Sequence, residues 1–324
     1  MVYISLPDRK TRCLSFYLAM EEYVARTIDE QDCFFMWQVE PSVIFGRNQL
    51  IETEVNLEFC KRHHISTYRR KSGGGCVYAD MSNVMFSYVT KDEAVNFTFN
   101  RYINMVVRVL QQLGVDAKAS GRNDVMIGDR KVSGNAFYHI PGRSIVHGTM
   151  LYDTNMVNMV GSITPNDDKL LSKGVSSVRQ RIALLKDYIN ISIDEFKDFV
   201  RHNLCDTEMV LTSADIAGIE KIERGYLTPE FIYGNNPKYE MVRTKRIDGV
   251  GTFEVRMELK QGVIKDVSML GDYFLVGDLD TEVIKPLRGI KLERKAIEEA
   301  LPEKLDSVIL NMKRDDLIRV LIDE

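Results

Sequence analysis

Residues 69–80, RRKSGGGCVYAD, place cationic side chains against three consecutive glycines, between stretches that have the character of β-strands. The backbone N–H groups of a glycine loop can form a concavity that binds an anion, and Arg69 and Arg70 could add bidentate contacts to phosphate oxygens. The stretch is not a Walker motif or a dinucleotide fingerprint, because its lysine and serine precede the glycines and no helix follows. A flexible connection is the structural alternative. The combination indicates phosphate or adenylate chemistry.

A second candidate is Lys131, in the stretch DVMIGDRKVSG at 124–134. This stretch predicts a β-hairpin whose two-residue turn is Gly128-Asp129, because glycine at the first position suits a type II′ turn. A single lysine in a strand is more often a solvated surface residue than a catalytic one. The hairpin alone therefore does not assign a reaction to Lys131.

The register of this hairpin brings a carboxylate toward Lys131. With a two-residue turn, Met126 faces Lys131 and Val125 faces Val132, so Asp124 lies on the same sheet face one diagonal step away. Such neighbours are roughly 7–8 Å apart between backbones, which is within reach of long side chains. We expect the Asp124 carboxylate to contact the Lys131 ammonium.

Two other reactive side chains have plain structural interpretations. His147, which precedes Gly148-Thr149, is more often a hydrogen-bonded histidine of the core or rim than a base. Cys76 would be a nucleophile only if nearby arginines favoured its thiolate, and a buried free cysteine is commoner.

Composition excludes several classes of protein. The 43 basic and 47 acidic side chains give a net charge of −4, which argues against nucleic-acid binding driven by overall charge. Five cysteines without a CxxC pair indicate a reducing, cytoplasmic compartment and no structural zinc site. No segment approaches the roughly 18 uncharged apolar residues of a membrane span, and the N-terminus lacks a signal peptide. We expect a soluble cytoplasmic protein with no metal ligands, nucleic-acid partner or membrane partner.

The elements that must position these residues follow from hydrophobic periodicity. Apolar residues recur at helical spacing at 14–28 and 96–114, and helical patterns dominate 184–225. Short apolar runs such as CFFMWQV, SVIFG and VMFSYV are typical of buried strands. The pattern predicts an α+β (α/β) fold in which strands flank the glycine loop.

A change in composition at 233–246, YGNNPKYEMVRTKR, marks the best candidate boundary between domains. Beyond it the sequence predicts a strand, a Gln-Gly turn and a second strand, followed by amphipathic helices near 280–300 and 313–323. We expect a main domain at 1–240 and a small α+β domain at 241–324.

Taken together, RRKSGGGCVYAD, GRNDVMIGDRKVSGNAFY and HGTMLYD, in this order, resemble the lipoate-protein ligases of the biotin/lipoate ligase superfamily. The similarity extends to PSVIFGRNQ upstream and LSKGVSSVRQR downstream, and GVIKDVSMLGDYF resembles the small C-terminal accessory domain of that family. The resemblance implies a mixed β-sheet flanked by helices as the catalytic fold.

The resemblance also implies a two-step reaction. The lipoate carboxylate attacks the α-phosphorus of ATP to give lipoyl-adenylate and pyrophosphate, with Mg²⁺ on the phosphates. A lysine of an apo lipoyl domain then takes the acyl group. The implied acceptors are 2-oxoacid dehydrogenase complexes or the glycine cleavage H protein.

Site residues are carried over by matching motifs. The resemblance assigns Lys131 as the catalytic residue, and it makes 173–180, KGVSSVRQ, a loop over the adenylate. It implies ATP contacts from Arg70, Gly75, Cys76, Val77, Tyr78 and Lys131, and lipoate contacts from Gly73, Gly74, Gly75 and Lys131. Supporting candidates are Asp124, Asn83, Gly148 and Thr149.

One position departs from the family pattern. Relatives often carry histidine where this chain has Ala79. Any contact made by that imidazole is absent here, although neither reaction step as described requires it.

Three alternatives remain open. An octanoyl or lipoyl transferase of the same fold would need a pocket thiol, and only Cys76 is suitably placed in the sequence. A non-catalytic lipoate-binding relative is a second alternative, for which Ala79 is the supporting feature. A biotin ligase is disfavoured by the triple glycine, because biotin ligases usually have an arginine-rich glycine loop.

Overall fold

The structure is a computed structural model that describes residues 1–91, 95–120, 123–163, 179–234 and 241–322. The chain forms two units. The first comprises Met1–Phe45, Glu52–Arg70 and Cys76–Ile232, and the second comprises Gly46–Ile51, Lys71–Gly75 and Tyr233–Glu324. The division of function between a catalytic domain at 1–240 and an accessory domain at 241–324 stays a prediction.

The first unit is built on a mixed β-sheet with the strand order β11-β1-β2-β6-β10-β9-β8-β7. Strand β1 pairs in parallel with both neighbours, whereas the pairs from β2 to β7 are antiparallel. A smaller sheet has the order β4-β3-β5. The strands are β1 Val2–Ser5, β2 Asp32–Trp37, β3 Ser42–Phe45, β4 Ser66–Arg69, β5 Val77–Ala79, β6 Val84–Thr90, β7 Ala117–Ala119, β8 Asp124–Ile127, β9 Arg130–Ile140, β10 Arg143–Met150 and β11 Thr207–Val210.

Helices flank these sheets, as the sequence predicts. Two of them begin at capping boxes, in which Ser192 pairs with Glu195 and Thr212 with Asp215, so their first N–H groups are satisfied locally. The helices up to residue 234 are α1 Leu14–Thr27, α2 Ile51–Glu54, α3 Leu57–Arg62, α4 Val95–Gln112, α5 Met156–Ser162, α6 Ile193–Leu204, α7 Ser213–Tyr226 and α8 Pro229–Tyr233, with a 3₁₀ turn at Leu185–Asp187.

The prediction for 184–225 was incomplete, because β11 lies between α6 and α7. This short strand pairs in parallel with β1 at the edge of the main sheet. It is largely exposed, so it lacks the apolar run by which buried strands are recognised.

One apolar core joins helix α1, one face of the main sheet and the small sheet. Leu18 of α1 and Tyr138 of β9 belong to it, together with Ile44 and Ala79 of the small sheet. Helix α1 and the small sheet therefore lie on the same face of the main sheet.

The second unit has its own sheet and its own core. Strands β12 Met241–Ile247, β13 Gly251–Lys260 and β14 Val263–Gly271 form an antiparallel sheet, and Gln261-Gly262 makes the predicted turn with positive φ at both residues. Its helices are α9 Lys285–Leu287, α10 Arg294–Ala300 and α11 Arg314–Ile322, with a π turn at Asp280–Ile284 and a 3₁₀ turn at Leu305–Ser307.

The helices predicted near 280–300 are present as short segments with a break between them. The chain is extended at Arg288, turns at Gly289 with a φ of +85°, and makes a β-bridge between Lys291 and Val263. Pairing with the neighbouring strand therefore separates α9 from α10. Among the helices that the structure describes, none combines the length and apolar character needed to cross a membrane.

Candidate active site

The hairpin of β8 and β9 carries Lys131. Gly128 turns the chain with a φ of +61°, and Met126 faces Lys131 as the sequence predicts. The predicted pairing of Val125 with Val132 was wrong, because a β-bulge shifts the register and Val125 faces Ser133. Bulges of this kind add one residue to one strand and redirect the side chains beyond it.

Asp124 and Lys131 form an ion pair. The Nζ atom of Lys131 lies 2.8 Å from Oδ1 of Asp124, and the two side chains keep 38% and 26% of their surface exposed. The predicted approach of carboxylate and ammonium is therefore confirmed. Both side chains are partly exposed, and the ion pair holds the Lys131 ammonium beside Asp124.

Backbone contacts fix both strands around this pair. Asn123 and Asn135 exchange amide hydrogen bonds, each side chain donating to the carbonyl of the other residue at 3.1 and 3.0 Å. The carbonyl of Lys131 accepts the N–H of Ala183 at 2.8 Å. Lys131 is thus anchored through its backbone on both sides.

The side chain of Lys131 lies on the face of the sheet that carries the first core. Its Nζ lies over Gly134, which is opposite Asp124 in the register. Tyr138, on the same face of β9 as Gly134, packs into the core shared with Ala79 of β5. Lys131 and the nucleotide-contacting stretch predicted at 76–78 therefore lie on one side of the main sheet.

Strand β4 of the small sheet ends at Arg69, and Arg70 follows it directly. Both arginines are buried. Arg70 donates from Nη1 to the carbonyl of Ile44 at 3.1 Å, and burial lowers the pKa of its guanidinium to about 10, so it remains charged at neutral pH. Arg69 donates from Nε to the carbonyl of Ile232 at 2.9 Å and stacks on the ring of Phe45. Arg69 thus has clear packing contacts that the sequence did not indicate.

The glycine loop belongs to the second unit, and close backbone contacts explain two of its glycines. A Cβ atom at Gly73 would lie 2.2 Å from the carbonyl oxygen of Tyr273, which no packing tolerates. Gly74 has a φ of +87° and donates its N–H to the same oxygen at 3.1 Å. Gly75 is exposed, with Asp272 at ordinary contact distance.

Strand β5 holds Val77, Tyr78 and Ala79 against β3. Tyr78 is buried, and its hydroxyl accepts a hydrogen bond from Asn158 at 3.3 Å. Ala79 is fully buried in the first core. A methyl group among apolar neighbours therefore fills position 79, at which the resemblance implied histidine.

Asn83, a supporting candidate, lies in the turn after β5. Its amide nitrogen donates to Asp80 and to Thr154 at 3.3 and 3.0 Å. Asp80 also accepts the N–H groups of Ser82 and Asn155. These bonds tie the turn to the start of α5.

Cys76 is partly exposed at the surface but its thiol is not activated. Burial raises the pKa of the Cys76 thiol to about 12, although Arg70 and Arg69 oppose this shift. The thiolate is the nucleophilic form, so the arginines do not supply the activation that a thioester mechanism needs.

His147 is part of a buried polar network, as its structural interpretation predicts. Its Nδ1 lies 2.8 Å from Glu21 of α1. Glu21 accepts the hydroxyl of Ser87 at 2.6 Å, and Ser87 accepts the indole N–H of Trp37 at 2.9 Å. This network joins α1 to three strands of the sheet.

Gly148 and Thr149 follow in β10. A Cβ atom at Gly148 would lie 1.8 Å from Oδ1 of Asn135, so this glycine makes room for the anchoring amide. Thr149 is buried and faces Gly134 in the register. Both residues support the strand that carries Lys131.

Part of the predicted adenylate loop, 173–178, lies outside the described residues. Within the described ranges there is no group of three or more histidine, cysteine, aspartate or glutamate residues that could hold a metal ion. Gly134 was not among the predicted site residues. The sequence feature that could have identified it is its position three residues after Lys131, in KVSG.

Comparison with known proteins identifies the family. The family described as "Lipoyl protein ligase A/B catalytic domain" matches residues 14–204, and the one described as "Bacterial lipoate protein ligase C-terminus" matches residues 236–321. Lipoate–protein ligase 1 of Staphylococcus aureus strain Mu50 is 36% identical and covers 94% of this chain and 95% of its own. Lipoate-protein ligase LplJ of Bacillus subtilis strain 168 is 33% identical with coverage of 94% and 95%.

Solved structures share the architecture. LipL1 of P. falciparum, determined in complex with lipoate, has a TM-score of 0.76 at 22% identity and covers 100% of this chain and 99% of its own. A bipartite lipoate protein ligase of Thermoplasma acidophilum, described with its E2 lipoyl domain, has a TM-score of 0.66 at 27% identity, covering 74% and 98%. A lipoate-protein ligase A bound with ATP has a TM-score of 0.63 at 26% identity, covering 72% and 98%.

These matches confirm the predicted fold, a mixed sheet flanked by helices with a small C-terminal α+β domain. They also agree with the motifs from which the resemblance was inferred. The chain belongs to the lipoate-protein ligase family.

Proposed function

We propose that this chain is an ATP-dependent ligase that attaches lipoate to a lysine of an apo lipoyl-domain protein, with Lys131 as its catalytic residue. The observation that carries the proposal is the 2.8 Å contact between Lys131 and Asp124, which fixes an accessible ammonium on the core face of the sheet. The relative bound with ATP and the relatives named as lipoate ligases support it.

In the first step, a lipoate carboxylate oxygen attacks the α-phosphorus of ATP, and the bond from that phosphorus to the bridging oxygen breaks. Pyrophosphate leaves, and lipoyl-adenylate remains. Carboxylate and triphosphate are both negative, so a fixed ammonium between them offsets their repulsion. Arg70 adds a second charge for phosphate, and Gly75 and 76–78 supply backbone contacts to the nucleotide.

In the second step, the acceptor lysine amine attacks the carbonyl carbon of lipoyl-adenylate. The carbon–oxygen bond to AMP breaks, AMP leaves with the electron pair, and the amine releases a proton. Negative charge develops on the carbonyl oxygen as the amine attacks. The Lys131 ammonium, preoriented by Asp124, is suited to hold that charge.

ATP would enter with Mg²⁺. The described residues offer no cluster of carboxylates for the ion, and the Asp124 carboxylate already contacts Lys131. The donors that fit Mg²⁺ here are the phosphate oxygens of ATP and water, an arrangement that this ion commonly adopts. Its contribution when bound is to neutralise charge on the phosphates.

The acceptors we propose are apo lipoyl domains of 2-oxoacid dehydrogenase complexes or the glycine cleavage H protein. Support comes from the Thermoplasma acidophilum relative, which is described with an E2 lipoyl domain. For the acyl group, the candidate lipoate contacts stay those that the resemblance implies, namely Gly73, Gly74, Gly75 and Lys131.

Reconstitution tests the proposal. Purified protein with ATP, Mg²⁺, lipoate and an apo lipoyl domain should add one lipoyl group to the acceptor, measured by mass spectrometry. Lys131→Ala should lower the rate on the order of 100- to 1000-fold, the usual loss for one preorganised donor.

A matched control is Lys118→Ala. Lys118 lies on the neighbouring strand β7, and its ammonium forms a surface ion pair with Asp116. This variant should keep the rate of the original protein. No mass increase with the original protein, or an unchanged rate for Lys131→Ala, would overturn the proposal. Acyl transfer without ATP from an octanoyl carrier protein, lost in Cys76→Ser, would favour the transferase instead.

A further inference from the structure

Gly134 occupies the space beside the reactive ammonium. It faces Asp124 in the hairpin register and follows Lys131 by three residues. A Cβ atom at Gly134 would lie 2.6 Å from both Cε and Nζ of Lys131 and 3.8 Å from Oδ1 of Asp124. These are the three nearest atoms to that position, so the missing side chain leaves room for this ion pair.

Backbone geometry gives no other reason for glycine at this position. Gly134 lies within β9, and the positive φ values of the described glycines occur elsewhere. An L-residue can therefore adopt its backbone conformation. In a strand, glycine lacks a side chain to pack and costs conformational entropy, so alanine would ordinarily be tolerated or preferred.

The atoms that a methyl group would meet determine which part would move. Cε and Nζ are the far end of a flexible side chain, whereas the backbone of Lys131 is held by the N–H of Ala183. A Cβ–Nζ distance of 2.6 Å is too short to persist. The ammonium would therefore shift, and the fold would stay unchanged.

We propose that Gly134 is a positioning residue: the hydrogen in place of its side chain lets the Lys131 ammonium lie against the sheet beside Asp124, where the reacting carboxyl group would meet it. The inference rests on the proposed role of Lys131. A displacement of about 1 Å at a reacting group can cost on the order of 100-fold in rate. Gly134 thus acts on the reaction through Lys131.

The central variant is Gly134→Ala. We expect the rate of lipoyl-adenylate formation at saturating substrates to fall 10- to 100-fold, while the thermal midpoint stays the same or rises. Gly225→Ala is the matched control, because a Cβ atom at Gly225 in α7 would meet nothing within 4 Å. Its adenylation rate should equal that of the original protein.

A double-mutant comparison separates positioning from a general structural effect. If Gly134 acts through the ammonium, Gly134→Ala should cause no further loss in the Lys131→Ala background, measured as the residual adenylation rate. ATP affinity, measured by calorimetry, should likewise be the same for Lys131→Ala with or without Gly134→Ala. A further tenfold loss of either quantity in that background would overturn the inference.

The adenylation activity of the wild-type protein distinguishes a failure of this inference from a failure of the proposed function. If it forms no lipoyl-adenylate, the proposed function fails. If it is active and Gly134→Ala retains the full rate, the function stands and the positioning role of Gly134 is refuted.

Discussion

Lys131 and Asp124 form an ion pair whose importance lies in geometry more than in stability. Lys131 keeps 38% of its side-chain surface exposed, and solvent-exposed pairs typically contribute about 0–1 kcal/mol to folding. In the proposed reaction, the ammonium of this partly exposed side chain would exchange water for a substrate oxygen, and Asp124 would fix where that exchange takes place.

Cys76 gives a pH-dependent prediction at the same scale. Burial raises the pKa of its thiol to about 12, so the thiolate fraction should grow about tenfold with each pH unit between 7 and 11. Alkylation of native Cys76 by iodoacetamide should therefore be slow at pH 7 and accelerate steadily as the pH rises. Mass spectrometry of the Cys76 peptide measures this rate.

The same peptide in urea-unfolded protein provides the reference for this measurement. It should react faster at every pH between 7 and 9, because unfolding removes the burial that protects the thiol. Equal rates in the native and unfolded states at pH 7 would contradict the raised pKa. They would also revive the thioester alternative.

At the scale of elements, candidate site residues lie at two irregularities: the bulge in the β8–β9 hairpin and the glycine loop. Beyond the Met126–Lys131 pair, the bulge between Val125 and Met126 places Ser133 opposite Val125 and Gly134 opposite Asp124. The loop is held within the second unit, where Arg47 donates its N–H to Ser72 and Gly271 donates to Asn48. Hydrogen bonds between residues distant in sequence therefore hold the glycine loop.

Gly73 provides the prediction for the loop. Its missing Cβ would lie 2.2 Å from the Tyr273 carbonyl oxygen, a backbone atom that cannot rotate away. Gly73→Ala should therefore lower the free energy of unfolding by about 1–3 kcal/mol, as overpacked substitutions do. Urea denaturation monitored by circular dichroism measures the change.

Gly225→Ala is again the control, because it lies in helix α7 with open space around it. Alanine there should be neutral or stabilise the protein by up to about 1 kcal/mol. Equal stability of Gly73→Ala and the original protein would show that Tyr273 does not approach the loop. If Gly73→Ala lowers the free energy of unfolding as expected, hydrogen exchange at the Gly74 amide should also become faster in that variant.

At the scale of the whole molecule, each of the two units has an apolar core among its described residues. One joins α1 to the main sheet, and the other packs β13 and β14 against α9–α11. The single tryptophan, Trp37, is buried in the first core. Its fluorescence therefore reports on the first unit.

Phe253→Ala tests whether each core supports its own unit. Phe253 is fully buried and stacks on Tyr273 with ring centroids 4.4 Å apart. Its removal should destabilise the second unit by about 3–5 kcal/mol. We expect faster hydrogen exchange at 251–271, whereas the urea midpoint of Trp37 fluorescence should change little.

Leu18→Ala supplies the opposite case, because Leu18 is buried in the core that contains Trp37. That variant should shift the Trp37 midpoint to lower urea. A Trp37 midpoint shifted equally by both substitutions would show that the two cores unfold together.

Prediction from sequence succeeded where the signal was local or periodic. The Gly128-Asp129 and Gln261-Gly262 turns were predictable because glycine has a specific place in tight hairpins. Helix α1 was predictable from its apolar spacing. The contact of Asp124 with Lys131 followed from the turn and the pairing of Met126.

Prediction failed where a bulge or a contact between distant residues decides the outcome. Val125 moved out of its expected pairing because of a bulge, and β11 forms by pairing with the edge of β1. The packing of Arg69 on Phe45 was not predicted either, because it depends on how the small sheet folds. None of these contacts leaves a periodic signal in the sequence.

The sequence by itself determined the family, the tight turns of two hairpins, helix α1 and the residue types around Lys131, because motifs, turns and periodicity are local properties. Only the tertiary structure decided that Gly134 makes room for an ammonium and Gly73 for a carbonyl oxygen. In the sequence, both positions are simply glycine. The reason for each depends on which atom lies a few ångströms away, and long-range packing sets that distance.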